Sequence, residues 1–132
     1  MSLCIATAAL ALGLGVETFT LAWTHSVERT EWRENWRVQG GLLHLDEARV
    51  RGSGAGMEPP GDAVLRAGWW VYPGHVAPVP ALNLAVSGAT GRGWQLCTAA
   101  GCVDLETQMS ALGVAPQQIT LSALSPCRPV VR

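Results

Sequence analysis

Residues 31–52 read EWRENWRVQGGLLHLDEARVRG, and the spacing of their apolar residues decides the fold class. Along the first arm Trp32, Glu34, Trp36 and Val38 share one side, while Arg33, Asn35, Arg37 and Gln39 share the other. That is the period-two alternation of a strand with one buried face. A helix over 28–37 has good helix formers in its glutamates and arginines, but Trp32 and Trp36 alone make too thin an apolar stripe. The Gly40-Gly41 pair ends the run and suits a tight hairpin turn. On the return arm Leu43, Leu45 and Glu47 alternate with Leu42, His44, Asp46, Ala48 and Val50. Apolar residues therefore occupy both phases, the inner face is ambiguous, and the arm is a candidate for a β-bulge.

The same period extends in both directions. ETFTLAWTHS sets Phe19, Leu21 and Trp23 against Thr18, Thr20 and Ala22. Further strands are expected around GWWVY, ALNLAV, WQLC, CVDLE and QQITLSAL, joined by glycine- and proline-rich links. GSGAGMEPPGD is no regular element, because its glycines free the backbone and Pro59 and Pro60 remove two donors. Trp69 and Trp70 are adjacent, so in one strand they point to opposite faces. Eight to ten short strands without a long helix indicate an all-β domain over residues 1–132, a small antiparallel β-sandwich or partly closed barrel. Residues 3–16, LCIATAALALGLGV, are expected as two short strands, with a cleavable targeting segment as the alternative. They are too short for a membrane-spanning helix, and no transmembrane segment is expected.

The chain has 132 residues, 48% hydrophobic and 14% charged, with a formal net charge of -1. That balance suits one folded domain and offers no basic surface for a nucleic acid partner. All nine basic residues other than histidine are arginine, which excludes lysine Schiff-base chemistry and a lysine-dependent phosphate loop.

The densest polar cluster is THSVE, residues 24–28. Thr24, His25, Ser26 and Glu28, with Trp32 and the loop residues Ser53, Gly54, Gly56, Met57 and Glu58, form the candidate binding set. Beside a purely structural reading, in which Thr24, His25 and Ser26 bond to backbone groups where the strand ends and Glu28 or Glu58 accepts from Arg29 or Arg33, two chemistries compete for it. Arginine, histidine and a flexible loop over an exposed tryptophan suit a small acidic solute or a partner protein. His25, Glu28 and Glu58 also offer the imidazole and oxygens of a metal-dependent or hydrolytic enzyme. The nucleophile reading is weak, because adjacent strand residues such as His25 and Ser26 diverge and Ser53 lacks a strand–turn–helix setting. No catalytic residue and no cofactor is therefore assigned. Cys97 and Cys102 flank a hairpin-length loop, and Cys4 and Cys127 lie near opposite chain ends. Two disulfides, reduced thiols or a structural zinc all remain open for this even set.

FTLAWTHSVERTEWRENWRV, EARVRGSGAGMEPP, GWWVY and GWQLC, in this order, resemble the domain-of-unknown-function 1850 family of small bacterial proteins. The resemblance implies an accessory or binding role beside tripartite transporters of the TRAP type, in particular those with TAXI-class solute-binding components, and no established reaction. Longer members carry a signal segment ahead of the first strand. This chain is similar to shorter members whose LC start is the first strand itself, so a cytoplasmic location is expected, with the periplasm as the alternative.

Overall fold

A computed structural model describes residues 2–25, 30–52, 60–86 and 93–130. Eleven strands and one short helix are seen among them: β1 (Leu3–Ala6), β2 (Ala11–Leu14), β3 (Thr18–His25), β4 (Thr30–Gln39), β5 (Leu42–Arg51), β6 (Val64–Arg66), β7 (Trp69–Pro73), β8 (Ala81–Ala85), β9 (Gln95–Thr98), β10 (Gly101–Asp104), α1 (Leu105–Ala111) and β11 (Gln118–Ser122). They build two antiparallel sheets, one of four strands in the order β2-β1-β11-β8 and one of seven in the order β10-β9-β3-β4-β5-β7-β6. This is the expected all-β sandwich. Leu3, Ile5, Ile119, Leu121 and Leu84 of the small sheet meet Phe19, Leu21, Trp36, Val38, Leu43 and Leu96 of the large one in a single apolar core. Burial of such side chains is the main favourable term holding the layers together.

The hairpin β4–β5 turns at Gly40 and Gly41, whose φ angles of 62° and 76° belong to the left-handed region that glycine occupies without strain. Its register changes once. Asn35 pairs with Glu47 but Trp36 pairs with Leu45, so Asp46 is the extra residue of a bulge. Below the bulge Leu43 faces the core, and above it Ala48 and Val50 do. Both phases of the return arm thus turn inward, each on its own side of Asp46. Gly74 closes on the bulge, with its N–H donating to the Asp46 carbonyl at 3.3 Å. A Cβ at Gly74 would overlap the Leu45 backbone.

Leu3–Ala6 and Ala11–Leu14 form an antiparallel hairpin, with Leu3 and Ile5 inside the core. Removal of the first ten residues would delete β1 and open the interior. The segment CVDLE does not stay extended, because the chain leaves β10 at Asp104 and coils. The Asp104 side chain accepts from Thr107 N–H, and Leu105 and Met109, four apart, bury on one face of α1. β6 is a short outer edge that the sequence pattern did not reveal, with Val64 and Leu65 exposed.

Both cysteine pairs are disulfides, which removes the thiol and zinc alternatives. Cys97 and Cys102 lie directly opposite each other on β9 and β10. Cys4 meets Cys127 not on a neighbouring strand but in the irregular C-terminal segment, which lies against the back of the small sheet near Gly13. Val130 N–H then donates to Thr7 O at 2.9 Å, and the tail is held as a strap.

Two measurements follow from this framework. Replacing both Cys4 and Cys127 by alanine releases a cross-link spanning 123 positions. In chain-entropy terms that costs about 4–5 kcal/mol, against about 2 kcal/mol for the short Cys97–Cys102 loop, and denaturant unfolding should rank the two double variants in that order. Gly74→Ala should cost about 1–3 kcal/mol through overpacking at the bulge, read from the same titration.

Candidate functional site

Antiparallel pairing carries the inner-face residues of β3, β4, β5 and β7 into rows across the large sheet. One row runs Leu21, Glu34, Ala48 and Tyr72; the next runs Trp23, Trp32, Val50 and Trp70. The small sheet covers the end of this face that carries Trp36, Val38 and Leu43. At the other end Trp23, Trp32, Trp70, Tyr72 and Trp94 are half-buried. Trp23, Trp32 and Trp94 form a connected group of rings. Trp23 stacks on Trp32 with centroids 5.8 Å apart and planes 3° apart, and Trp94 tilts against Trp23 at 4.7 Å. Trp94 Nε1 donates to Ala85 O of β8 at 3.0 Å, which ties this end to the small sheet. Tyr72 stacks in turn on His75, whose Nε2 lies 3.0 Å from Asp62.

Glu34 is the charged residue in this apolar phase. Its Oε1 accepts from Trp36 Nε1 at 3.2 Å. Burial pushes its pKa up, opposed by that hydrogen bond, because loss of water disfavours the carboxylate. Across the small Ala48, burial and the negative charge of Glu34 together push the Tyr72 phenol up. The arginines of β4 and β5 give no relief, since Arg33, Arg37, Arg49 and Arg51 alternate to the opposite face. There Arg51 stacks at 4.4 Å over Trp69 and pairs with Glu31 at 2.8 Å, Arg33 lies 5.8 Å from the same ring, and Arg49 pairs with Glu47 at 2.7 Å. Trp69 and Trp70 therefore do face opposite ways, one under guanidinium groups and one within the aromatic end.

The candidate set named from the sequence is only partly in view. Trp32 is in the aromatic row. Thr24, opposite Glu31, falls on the arginine phase of β3, yet it lines one small pocket together with Trp23 and Trp32. The His25 backbone ends β3 opposite Thr30. Ser26, Glu28, Ser53, Gly54, Gly56, Met57 and Glu58 lie outside the described residues. His25, Thr30 and Gly93, which border the breaks in the described chain at 26–29 and 87–92, lie at this same end of the sheet. Among the described residues no three of His, Cys, Asp and Glu converge as metal ligands. Glu34, Tyr72 and Trp94 stand in or beside these rows but outside the candidate set named from the sequence. The available signal was the parity of 32–38, which places a carboxylate in the buried phase of an otherwise apolar face.

A family model described as a domain of unknown function, DUF1850, matches residues 19–105. The chain belongs to this family. The match spans β3 to β10 and so contains the whole large sheet with its aromatic end, whereas β1, β2, β11 and the C-terminal strap lie outside it. No curated protein and no solved structure matches. Among the described residues no helix is long and apolar enough to cross a membrane.

The Glu34 carboxyl supplies a pH test. A carboxyl whose pKa is raised by folding holds its proton longer in the native state, so stability falls as pH rises from the unfolded pKa through the folded one. Glu34→Gln keeps an oxygen for Trp36 Nε1 and removes the charge. Its Tm should exceed that of the parent protein at pH 7–8 and converge with it at about pH 4, as read by thermal melts across that range.

Proposed function

We propose that this member of the family is a non-enzymatic binding module in a bacterial transport system of the TRAP/TAXI type. Its aromatic end engages a component of the transporter or the small acidic solute that the system handles. The observation that carries this reading is the row of half-buried Trp23, Trp32 and Trp70 beside Glu34, at the end of the large sheet away from Trp36, Val38 and Leu43. Tryptophan supplies large contact area at low entropic cost, which is why it is enriched at the centres of binding surfaces. Glu34, held by Trp36 and without an ion-pair partner among the described residues, gives such a surface one polar anchor. A neutral carboxyl there donates a hydrogen bond to an incoming carboxylate, and an ionised one meets a guanidinium or ammonium of a partner protein.

Two disulfides, one of them with its Cys4 fully enclosed, favour an oxidising compartment outside the cytosol as the place of action. The enzyme alternative rests on His25, Glu28 and Glu58, of which Glu28 and Glu58 lie outside the described residues.

Affinity capture from native cells under oxidising conditions tests the proposal. The full chain should retain a transporter component or the solute-binding protein. Trp32→Ala and Trp70→Ala, verified as folded, should each lower that retention at least tenfold. Retention that is unchanged in both variants, or hydrolytic turnover lost with His25→Ala, would overturn the reading.

A further inference from the structure

On the far side of the small sheet, away from the tryptophans, the C-terminal strap borders a groove of about 710 Å³. That volume lies within the range of small-molecule sites. Its walls are largely apolar, with Pro80, Leu124 and Val130 among them, and its polar groups are the hydroxyls of Thr120, Ser122 and Ser125 together with Arg128. Arg128 is the one charged residue in that lining, and among the described residues no carboxylate pairs with it. It is also held in place. Cys127, immediately before it, is cross-linked to Cys4, and Val130, two positions after it, bonds through its N–H to Thr7 O at 2.9 Å. The Ser122 oxygen accepts the Leu124 N–H at 3.2 Å, which leaves its hydroxyl proton for an acceptor in the groove. Thr120 is committed to Asn83 at 3.0 Å and serves as wall.

We propose that this groove binds a carboxylate bearing a short apolar tail, with Arg128 and the Ser122 hydroxyl holding the carboxylate and the proline, leucine and valine side chains receiving the tail. One cation without an ion-pair partner among the described residues selects for an anion. A planar guanidinium takes a carboxylate through two parallel hydrogen bonds. The apolar walls select against small, fully hydrated anions, and the strap anchored on both sides of Arg128 lowers the ordering cost of binding. The two groups that hold the carboxylate, Ser122 and Arg128, lie outside the residues matched by the family model, whereas Pro80 of the wall lies within them, and the inference goes beyond the transport reading and does not depend on it.

The test is an NMR titration of the oxidised full chain with hexanoate, with hexylammonium and inorganic phosphate as comparison probes. Hexanoate should give saturable amide shifts at Ser122, Leu124 and Arg128. Arg128→Gln should weaken that binding at least tenfold with an unchanged Tm, since the side chain is exposed, and Arg128→Lys should retain part of it. Equal binding of hexylammonium, preference for phosphate, shifts centred on Trp32 and Trp70, or an Arg128→Gln variant that binds as the parent does would each overturn the assignment. Shifts centred on the tryptophans would leave the proposed function standing while removing this groove.

Discussion

One extra residue sets the inner face of the large sheet. A strand presents alternate residues to alternate sides, so a ten-residue strand without irregularity buries a single phase. In β5 the bulge at Asp46 reverses that phase halfway, and Leu43 on one side and Ala48 and Val50 on the other all face inward. Without it, aligning Leu43 and Leu45 with the core would turn Ala48 and Val50 outward and bring Glu47 and Arg49 in. Gly74, which has no Cβ to clash with Leu45, permits the close approach of the chain after β7 to this point.

The bulge also determines what stands beside Glu34. Because Ala48 pairs with both Glu34 and Tyr72, the smallest side chain in that row separates the carboxyl from the phenol, and burial together with the Glu34 charge pushes the phenol pKa up. Val50 takes the corresponding place between Trp32 and Trp70. Small residues on β5 between large ones on β4 and β7 make an aromatic surface with a polar anchor. The same register sends the arginines to the other side, where Arg51 and Arg33 cover Trp69. That face carries arginines paired with Glu31 and Glu47, while Glu34 stands in the inner phase of β4.

The two disulfides differ in what they hold. Cys97–Cys102 reinforces partners already paired in one hairpin. Cys4–Cys127 joins the first strand to a segment with no sheet partner and makes the C-terminal strap part of the fold, with Arg128 at the lip of a groove. Neither end of the chain makes that groove alone.

Local pattern determined much by itself. The alternation of Trp32, Trp36 and Val38, the Gly40-Gly41 turn and the proline-rich links state a β fold, because pleat geometry and turn conformations act over a few residues. The ambiguity of 42–50 was itself legible as a bulge, and an acid in the inner phase at Glu34 was visible in the same stretch. The helix after Asp104 was legible only in its cap and the Leu105–Met109 pair, which the strand pattern before it obscured. Tertiary structure alone decided which strands became neighbours, and therefore that Tyr72 faces Glu34 across Ala48, that Trp94 joins Trp23, and that Cys127 reaches Cys4. Those relations depend on contacts between residues far apart in the chain, whose free energy comes from the shared burial of two sheets, and no local period encodes it.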